Sequence, residues 1–229
     1  MPSVTNKQSA PSGTEPTMAV DVRNVGKAYG KHRVLDGVSF TVGSGEMFAV
    51  TGPSGSGKST LLNILGLLEA PSNGHVLLKG SPSPRPRTRA ANLFIRYQLG
   101  YLFQNYALID HRSVESNLRV ALTYVDTSGR AKSELISEAL AAVGLSGFES
   151  RKVYTISGGE QQRVAIARLM LKPCDIVLAD EPTGSLDNAN RDAVLELLQE
   201  LRLKGKTIVV ASHDDAVIEA CSNTIDLQP

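Results

Sequence analysis

The segment Gly52-Pro53-Ser54-Gly55-Ser56-Gly57-Lys58-Ser59, followed by Thr60, fits the pattern G-x-x-x-x-G-K-[ST] without a mismatch. The chemistry it offers is capture of a nucleoside triphosphate. Glycines let the backbone curl so that several N–H groups point at one anion. A helix that starts here adds the positive end of its dipole. Lys58 brings a full charge to the β- and γ-phosphates, and the Ser59 hydroxyl is a ligand for Mg²⁺.

A phosphate loop needs an acid to hold that cation. Asp180 ends the unbroken apolar run Ile176-Val177-Leu178-Ala179, where open α/β sheets place their ligands. Glu181 follows directly. Adjacent carboxylates at a strand end are costly unless a cation or a reacting water uses them. Asp180 is therefore assigned to the Mg²⁺ shell, through water, and Glu181 to polarising the attacking water. A second element, Ser157-Gly158-Gly159-Glu160-Gln161-Gln162-Arg163, starts another helix. Ser157 is a good N-cap, and two glycines leave first-turn N–H groups open to an anion. One nucleotide in one chain does not need two such cradles.

These groups must be positioned by an α/β scaffold. Met47-Phe48-Ala49-Val50 leads into the phosphate loop as a strand, and Thr60 to Leu65 leads out as a helix. Val20 to Val25 and Val38 to Val42 alternate apolar and polar residues, as half-buried strands do. Gly43-Ser44-Gly45 turns the chain into the next strand, and His75 to Leu78 is a further short one. Ser81 to Thr88 is a proline- and arginine-rich loop that cannot be a regular helix or central strand. From about Ala90 to Leu171 the pattern is mainly helical. Within it, Leu135, Ile136, Ala139, Leu140 and Val143 are expected to form one apolar face. Asn188 to Leu203 is an amphipathic helix that turns Val194, Leu195, Leu197, Leu198 and Leu201 inward. Thr207 to Ala211 is a second buried strand. Strand–helix–strand alternation means an α/β sheet.

The 229 residues suffice for one large domain or a core with a subdomain, and 41% hydrophobic with 21% charged residues is ordinary for a globular protein. A net charge of +1 speaks against a dedicated nucleic-acid binder. Cys174 and Cys221 suggest neither a disulfide framework nor a metal site. No apolar run is long enough to span a bilayer. Met1 to Thr17 is polar and rich in Ser, Thr and Pro, so it is expected to be a disordered tail without a signal peptide, on a cytosolic protein. Any work at a membrane would need spanning helices from another polypeptide.

The sequence resembles the ATP-binding subunits of ABC transporters from about Val20 to Leu227. The loop at Gly52–Ser59 is similar to the family's Walker A motif, and Asp175 to Glu181 to its Walker B motif with the catalytic glutamate. Ser157 to Gln161 resembles the family signature, with Ile156 where Leu is usual and Glu160 where Gln is commonest. Gln104 in Tyr101-Leu102-Phe103-Gln104 matches the Q-loop, Ser185-Leu186-Asp187 the D-loop and His213 the switch histidine. Tyr29 sits where the family stacks an aromatic ring on adenine.

The resemblance implies a P-loop NTPase core, mostly a parallel sheet with flanking helices, joined by an N-terminal antiparallel β part and an inserted α-helical subdomain. Residues 18–229 would form a single ATPase domain, with the core at 18–89 and 172–229. It implies ATP and Mg²⁺ as ligands and a head-to-tail dimer in which Ser157 and Gly159 meet the γ-phosphate bound by the other copy. Lys58 and His213 would stabilise transition-state charge. Gln104 would touch the γ-phosphate or Mg²⁺ and relay its state to a separate transmembrane permease. Such a chain works at the cytoplasmic face of the membrane and does not itself touch the transported substrate. The compact ATPases of the macrolide-exporter and lipoprotein-release type are most similar, and the importers' C-terminal regulatory domain is expected to be missing. A small-molecule importer ATPase and a non-transport ABC ATPase remain as alternatives.

Overall fold

The computed structural model describes residues 4–6, 18–184 and 186–228. In chain order the strands are β1 (Val4–Asn6), β2 (Met18–Tyr29), β3 (His32–Gly43), β4 (Met47–Thr51), β5 (Asn73–Leu78), β6 (Ser81–Pro82), β7 (Leu99–Leu102), β8 (Ile176–Asp180), β9 (Thr207–Ala211) and β10 (Asn223–Asp226). The helices are α1 (Lys58–Leu65), α2 (Arg89–Tyr97), α3 (Val114–Arg119), α4 (Gly129–Ala142), α5 (Gly158–Leu171), α6 (Asn188–Leu203) and α7 (Asp215–Glu219). A six-stranded sheet runs β1-β10-β4-β9-β8-β7, parallel throughout except for β1. A four-stranded antiparallel sheet runs β3-β2-β5-β6.

The large sheet is buried on both faces, and its residues alternate between two cores as the pleat requires. Phe48, Val50, Ile176, Leu178, Val209 and Ala211 face α1 and the antiparallel sheet. Met47, Ala49, Val177, Ala179, Ile208 and Val210 face the core of α3 to α7. The helical part therefore shares its core with the sheet. Leu118, Ile136 and Leu140 belong to the same buried cluster as Val177 and Val210.

Three expectations are corrected. The stretch from Ala90 to Leu171 is not only helical, because β7 pairs in parallel with β8 as an edge strand of the main sheet. Its Gly100 allows a close approach, since a Cβ there would lie 2.7 Å from Leu169 Cδ2. Leu135 is exposed rather than packed with Ile136 and Leu140. It lies one residue, hence about 100°, off the Ile136–Leu140–Val143 stripe. Within the N-terminal segment, Val4–Asn6 pairs antiparallel with β10, giving the otherwise open sheet edge a partner for its backbone groups. Residues 1–3 and 7–17 lie outside the described residues.

The proline-rich segment is a loop with a two-residue edge strand, which tolerates Pro82. Thr88 caps α2. The α6 residues expected to face inward are all buried. Cys174 and Cys221 are buried and form no disulfide.

Candidate functional site

β4 ends at Thr51, and the loop turns through Gly52 (φ 135°) and Gly57 (φ 96°) into α1. Neither glycine can carry a side chain: a Cβ on Gly52 would lie 2.4 Å from Leu227 O, and one on Gly57 would lie 2.7 Å from Leu35 Cδ2. Gly52→Ala is expected to destabilise the fold by about 1–3 kcal/mol, read as a fall in unfolding temperature. The first turn of α1 has neither a side-chain cap nor an acidic residue. Its free N–H groups and dipole are thus left for an external anion. Lys58 is buried, and its Nζ donates to Gly52 O at 2.8 Å and Pro53 O at 3.1 Å.

The opposite wall comes from the ends of β8 and β9. Glu181 adopts left-handed backbone geometry (φ 45°), and its N–H donates to Ala211 O at 2.9 Å. For a non-glycine residue this costs about 1–2 kcal/mol, and it turns the carboxylate back toward the loop. Glu181 Oε1 lies 3.9 Å from Lys58 Nζ and 3.0 Å from His213 Nδ1. A carboxylate only accepts, so Nδ1 carries the proton of that contact. The His213 loop is held by Thr183 Oγ1 donating to Asp214 Oδ2 at 3.1 Å and by Asp214 N–H donating to Ser212 Oγ at 3.1 Å.

One cleft of about 620 Å³ gathers Gly52, Pro53, Ser54, Gly55, Gly57, Lys58, Ser59, Thr60, Gln104, Glu181 and His213, within the size range of ligand pockets. Ser56 lies buried beneath the loop. Asp180 reaches the Ser59 hydroxyl from below. Asp180 Oδ1 and Glu181 Oε2 are both buried without a hydrogen-bond partner. Unpaired carboxylate oxygens facing a phosphate loop are the donor set that suits a hard cation. Asp180, beside the Ser59 hydroxyl, fits Mg²⁺ on this ground, and Gln104 lines the same cleft.

Burial pushes the Asp180 carboxyl above its ordinary pKa. The Glu181 charge adds to the shift, while Ser59 and Lys58 oppose it. A carboxyl raised in the folded state stabilises fully below its unfolded pKa, and that contribution is lost as pH rises through the folded value. Asp180→Asn should therefore raise the unfolding temperature of the chain in EDTA at about pH 7 and change it little at about pH 3. Equal shifts at both pH values would contradict this.

Tyr29 stands beside the cleft rather than in it. Tyr29 is 48% exposed, its hydroxyl contacts the Thr60 side chain and donates to Glu69, and Lys27 Nζ lies 5.0 Å from its ring centroid. The signature residues are not in the cleft lining at all. Ser157 caps α5, and Glu160 completes a capping box: Glu160 N–H donates to Ser157 Oγ at 3.3 Å, and Ser157 N–H donates to Glu160 Oε2 at 2.7 Å. The expected open cradle is thus narrowed to the Gly158 and Gly159 N–H groups, with the Glu160 side chain turned back on its own helix. The S-x-x-E spacing was a readable signal for this. Asp187 caps α6 through Asn190 at 2.9 Å, and it too lies outside the cleft. Ser185 lies outside the described residues.

Two tertiary links had no local sequence signal. Gln162 Nε2 donates to Pro182 O at 2.8 Å, tying the signature helix to the segment after Glu181. Arg168 donates to Tyr106 O at 2.7 Å and Ala107 O at 2.6 Å, holding two left-handed residues just after Gln104.

Residues 35–184 match the ABC transporter family. The chain belongs to that family. The dimeric structure of MJ0796, described as a bacterial ABC transporter cassette, is 34% identical with a TM-score of 0.84 over 91% of this chain and 94% of that one. A dimeric post-hydrolysis state of the same cassette, bound to ADP and Pi, is 33% identical with a TM-score of 0.83 over the same shares. Among curated relatives, the macrolide export ATP-binding/permease protein MacB of Hyphomonas neptunium is 36% identical over 213 residues, and that of Escherichia coli 37% over 218 residues. These matches cover 91% of this chain but 33% of either relative, so the chain spans about one third of their length. The ABC cassette fold, a P-loop core with a mostly parallel sheet, is shared with these neighbours.

Proposed function

We propose that this chain binds ATP with Mg²⁺, hydrolyses it, and drives a membrane permease of the macrolide-exporter type. The observation that carries the reading is the convergence of Lys58, Glu181, His213 and Gln104 on one cleft. Lys58 exchanges loop carbonyls for phosphate oxygens. Glu181 orients and deprotonates the attacking water, with His213 steering its carboxylate. Ser59, Asp180 and Gln104 would hold Mg²⁺, which would supply neutralisation of the phosphate charge. Tyr29 offers its exposed ring to the base.

The start of α5 lies outside this cleft, which supports a head-to-tail pair in which Ser157, Gly158 and Gly159 complete the site of a second copy, with Asp187 beside them. Closure of such a pair excludes water and couples ATP binding to motion.

No helix among the described residues is long and apolar enough to cross a membrane. In the proposed assembly the chain associates with a transmembrane permease at the cytoplasmic face. A groove behind Gln104, about 520 Å³ and lined by Leu68, Phe103, Val120, Tyr124, Arg168 and Lys172, suits such a partner. Val120 and Tyr124 are each 54% exposed there. The names of the macrolide-export relatives favour efflux over import. Phosphate release by the purified chain, compared with and without a copurified permease, tests the proposal. No ATP-dependent phosphate release in either preparation would end it.

A further inference from the structure

A chain of polar side chains joins Tyr29 to the strand that carries Gln104. The Tyr29 hydroxyl donates to Glu69 Oε2, the same oxygen that Lys27 Nζ approaches at 3.2 Å. Asn63, on α1, donates from Nδ2 to Glu69 Oε1 at 3.4 Å and accepts the Tyr101 hydroxyl on Oδ1 at 3.3 Å. Chemistry fixes the orientation of that amide: a carboxylate only accepts, and burial beside Asp180 keeps the Tyr101 phenol protonated. The Tyr101 ring stacks on Phe103, with centroids 4.0 Å apart and planes 10° apart. Phe103 directly precedes Gln104.

The two ends of this bridge do different things. Tyr29 has an exposed ring and lies beside the mouth of the cleft through Thr60. Gln104 lies within the cleft. The two hydrogen bonds of Asn63 are long, so they have room to tighten when either end is pinned. We propose that Asn63 is a positioning residue that transmits occupancy of the Tyr29 ring, through Glu69 and Tyr101, to the Phe103–Gln104 segment. A base stacked on Tyr29 fixes its hydroxyl, which fixes Glu69, the Asn63 amide and the Tyr101–Phe103 stack in turn. The segment beside the γ-phosphate position is then ordered by the base as well as by the phosphates. This rests on Tyr29 being the base platform in the proposed nucleotide site. It is a contiguous network of named contacts, and its coupling can be measured directly.

The test compares ADP with pyrophosphate, both with Mg²⁺ and both without a γ-phosphate, using backbone hydrogen exchange on the full chain. The Mg²⁺ contact of Gln104 is common to both, so saturating ADP should slow exchange over residues 102–105 by about fivefold or more beyond the slowing that saturating pyrophosphate produces. Asn63→Ala should lose that slowing while its Kd for ADP stays within about threefold. Alanine is a better helix former than asparagine, so α1 is expected to persist. Tyr101→Phe keeps the ring stack, removes only the hydroxyl, and should lose the slowing too. Equal slowing by pyrophosphate, or undiminished slowing by ADP in both variants, would overturn the bridge while leaving the nucleotide site standing. Failure of ADP to bind the wild-type chain would instead overturn the nucleotide site, and the bridge with it.

Discussion

Glu181→Gln is expected to lower ATP turnover by about 10²–10⁴-fold and to leave ATP affinity within about threefold. The amide keeps the length of the side chain and can still accept from His213 Nδ1, 3.0 Å away in the wild type. It can no longer take a proton from water. Its fold should be retained or strengthened, for a specific reason: the Glu181 charge helps to push Asp180 above its ordinary pKa, and Glu181 Oε2 is itself buried without a partner. Removing that charge relieves a repulsion between buried carboxylates. Phosphate release and unfolding temperature, measured on one preparation, separate the two effects. Turnover within tenfold of wild type would take the general-base role from Glu181.

Lys58→Ala should weaken ATP binding by about 10²–10³-fold, the equivalent of losing one or two charge-assisted hydrogen bonds. A stability cost accompanies it. Lys58 Nζ donates to Gly52 O and Pro53 O, 2.8 and 3.1 Å away, and stands 3.9 Å from Glu181. Its loss strips the loop of its internal cation and leaves Glu181 facing Asp180 alone. A drop of about 1–3 kcal/mol is expected. Lys58→Met retains most of the apolar stem and should recover part of the stability but none of the affinity. Calorimetric titration with Mg-ATP measures the affinity, and wild-type binding by either variant would contradict the loop's role.

The parts that were legible in the sequence are those whose physical reason is local. The runs from Ile176 to Ala179 and from Ile208 to Ala211 are unbroken and apolar, and runs of that kind are strands covered on both faces. The phosphate loop is legible because its glycines, Lys58 and Ser59 must lie at fixed spacing around one anion. β7 was missed because Leu99-Gly100-Tyr101-Leu102 is only four residues long, and its glycine is explained by Leu169, far along the chain. Leu135 was misplaced because a helical face has margins, and the packing of neighbours decides which marginal residue is covered. The partner of Tyr29 is 40 residues away, and the carbonyl that Arg168 grips at Ala107 is 61 residues away. No periodicity reports such contacts. The capping role of Glu160 was local and readable, yet a glycine-rich helix start drew attention to the open N–H groups instead of the side chain that turns back on them.

In the proposed dimer, the phosphate loop of one copy and the start of α5 in another make one site. The most direct measurement is the solution mass of Glu181→Gln by light scattering with saturating Mg-ATP, alone and combined with Gly158→Glu. A Cβ on Gly158 meets nothing closer than Tyr106 Oη at 3.4 Å, and an acid in the first turn suits the helix dipole, so the second substitution should not disturb the fold. It places a negative charge where the partner's γ-phosphate would sit. Glu181→Gln is expected to form a dimer that depends on ATP, and to become a monomer that still binds ATP once Gly158→Glu is added. A monomeric Glu181→Gln chain under saturating Mg-ATP, or a dimer indifferent to Gly158→Glu, would contradict it.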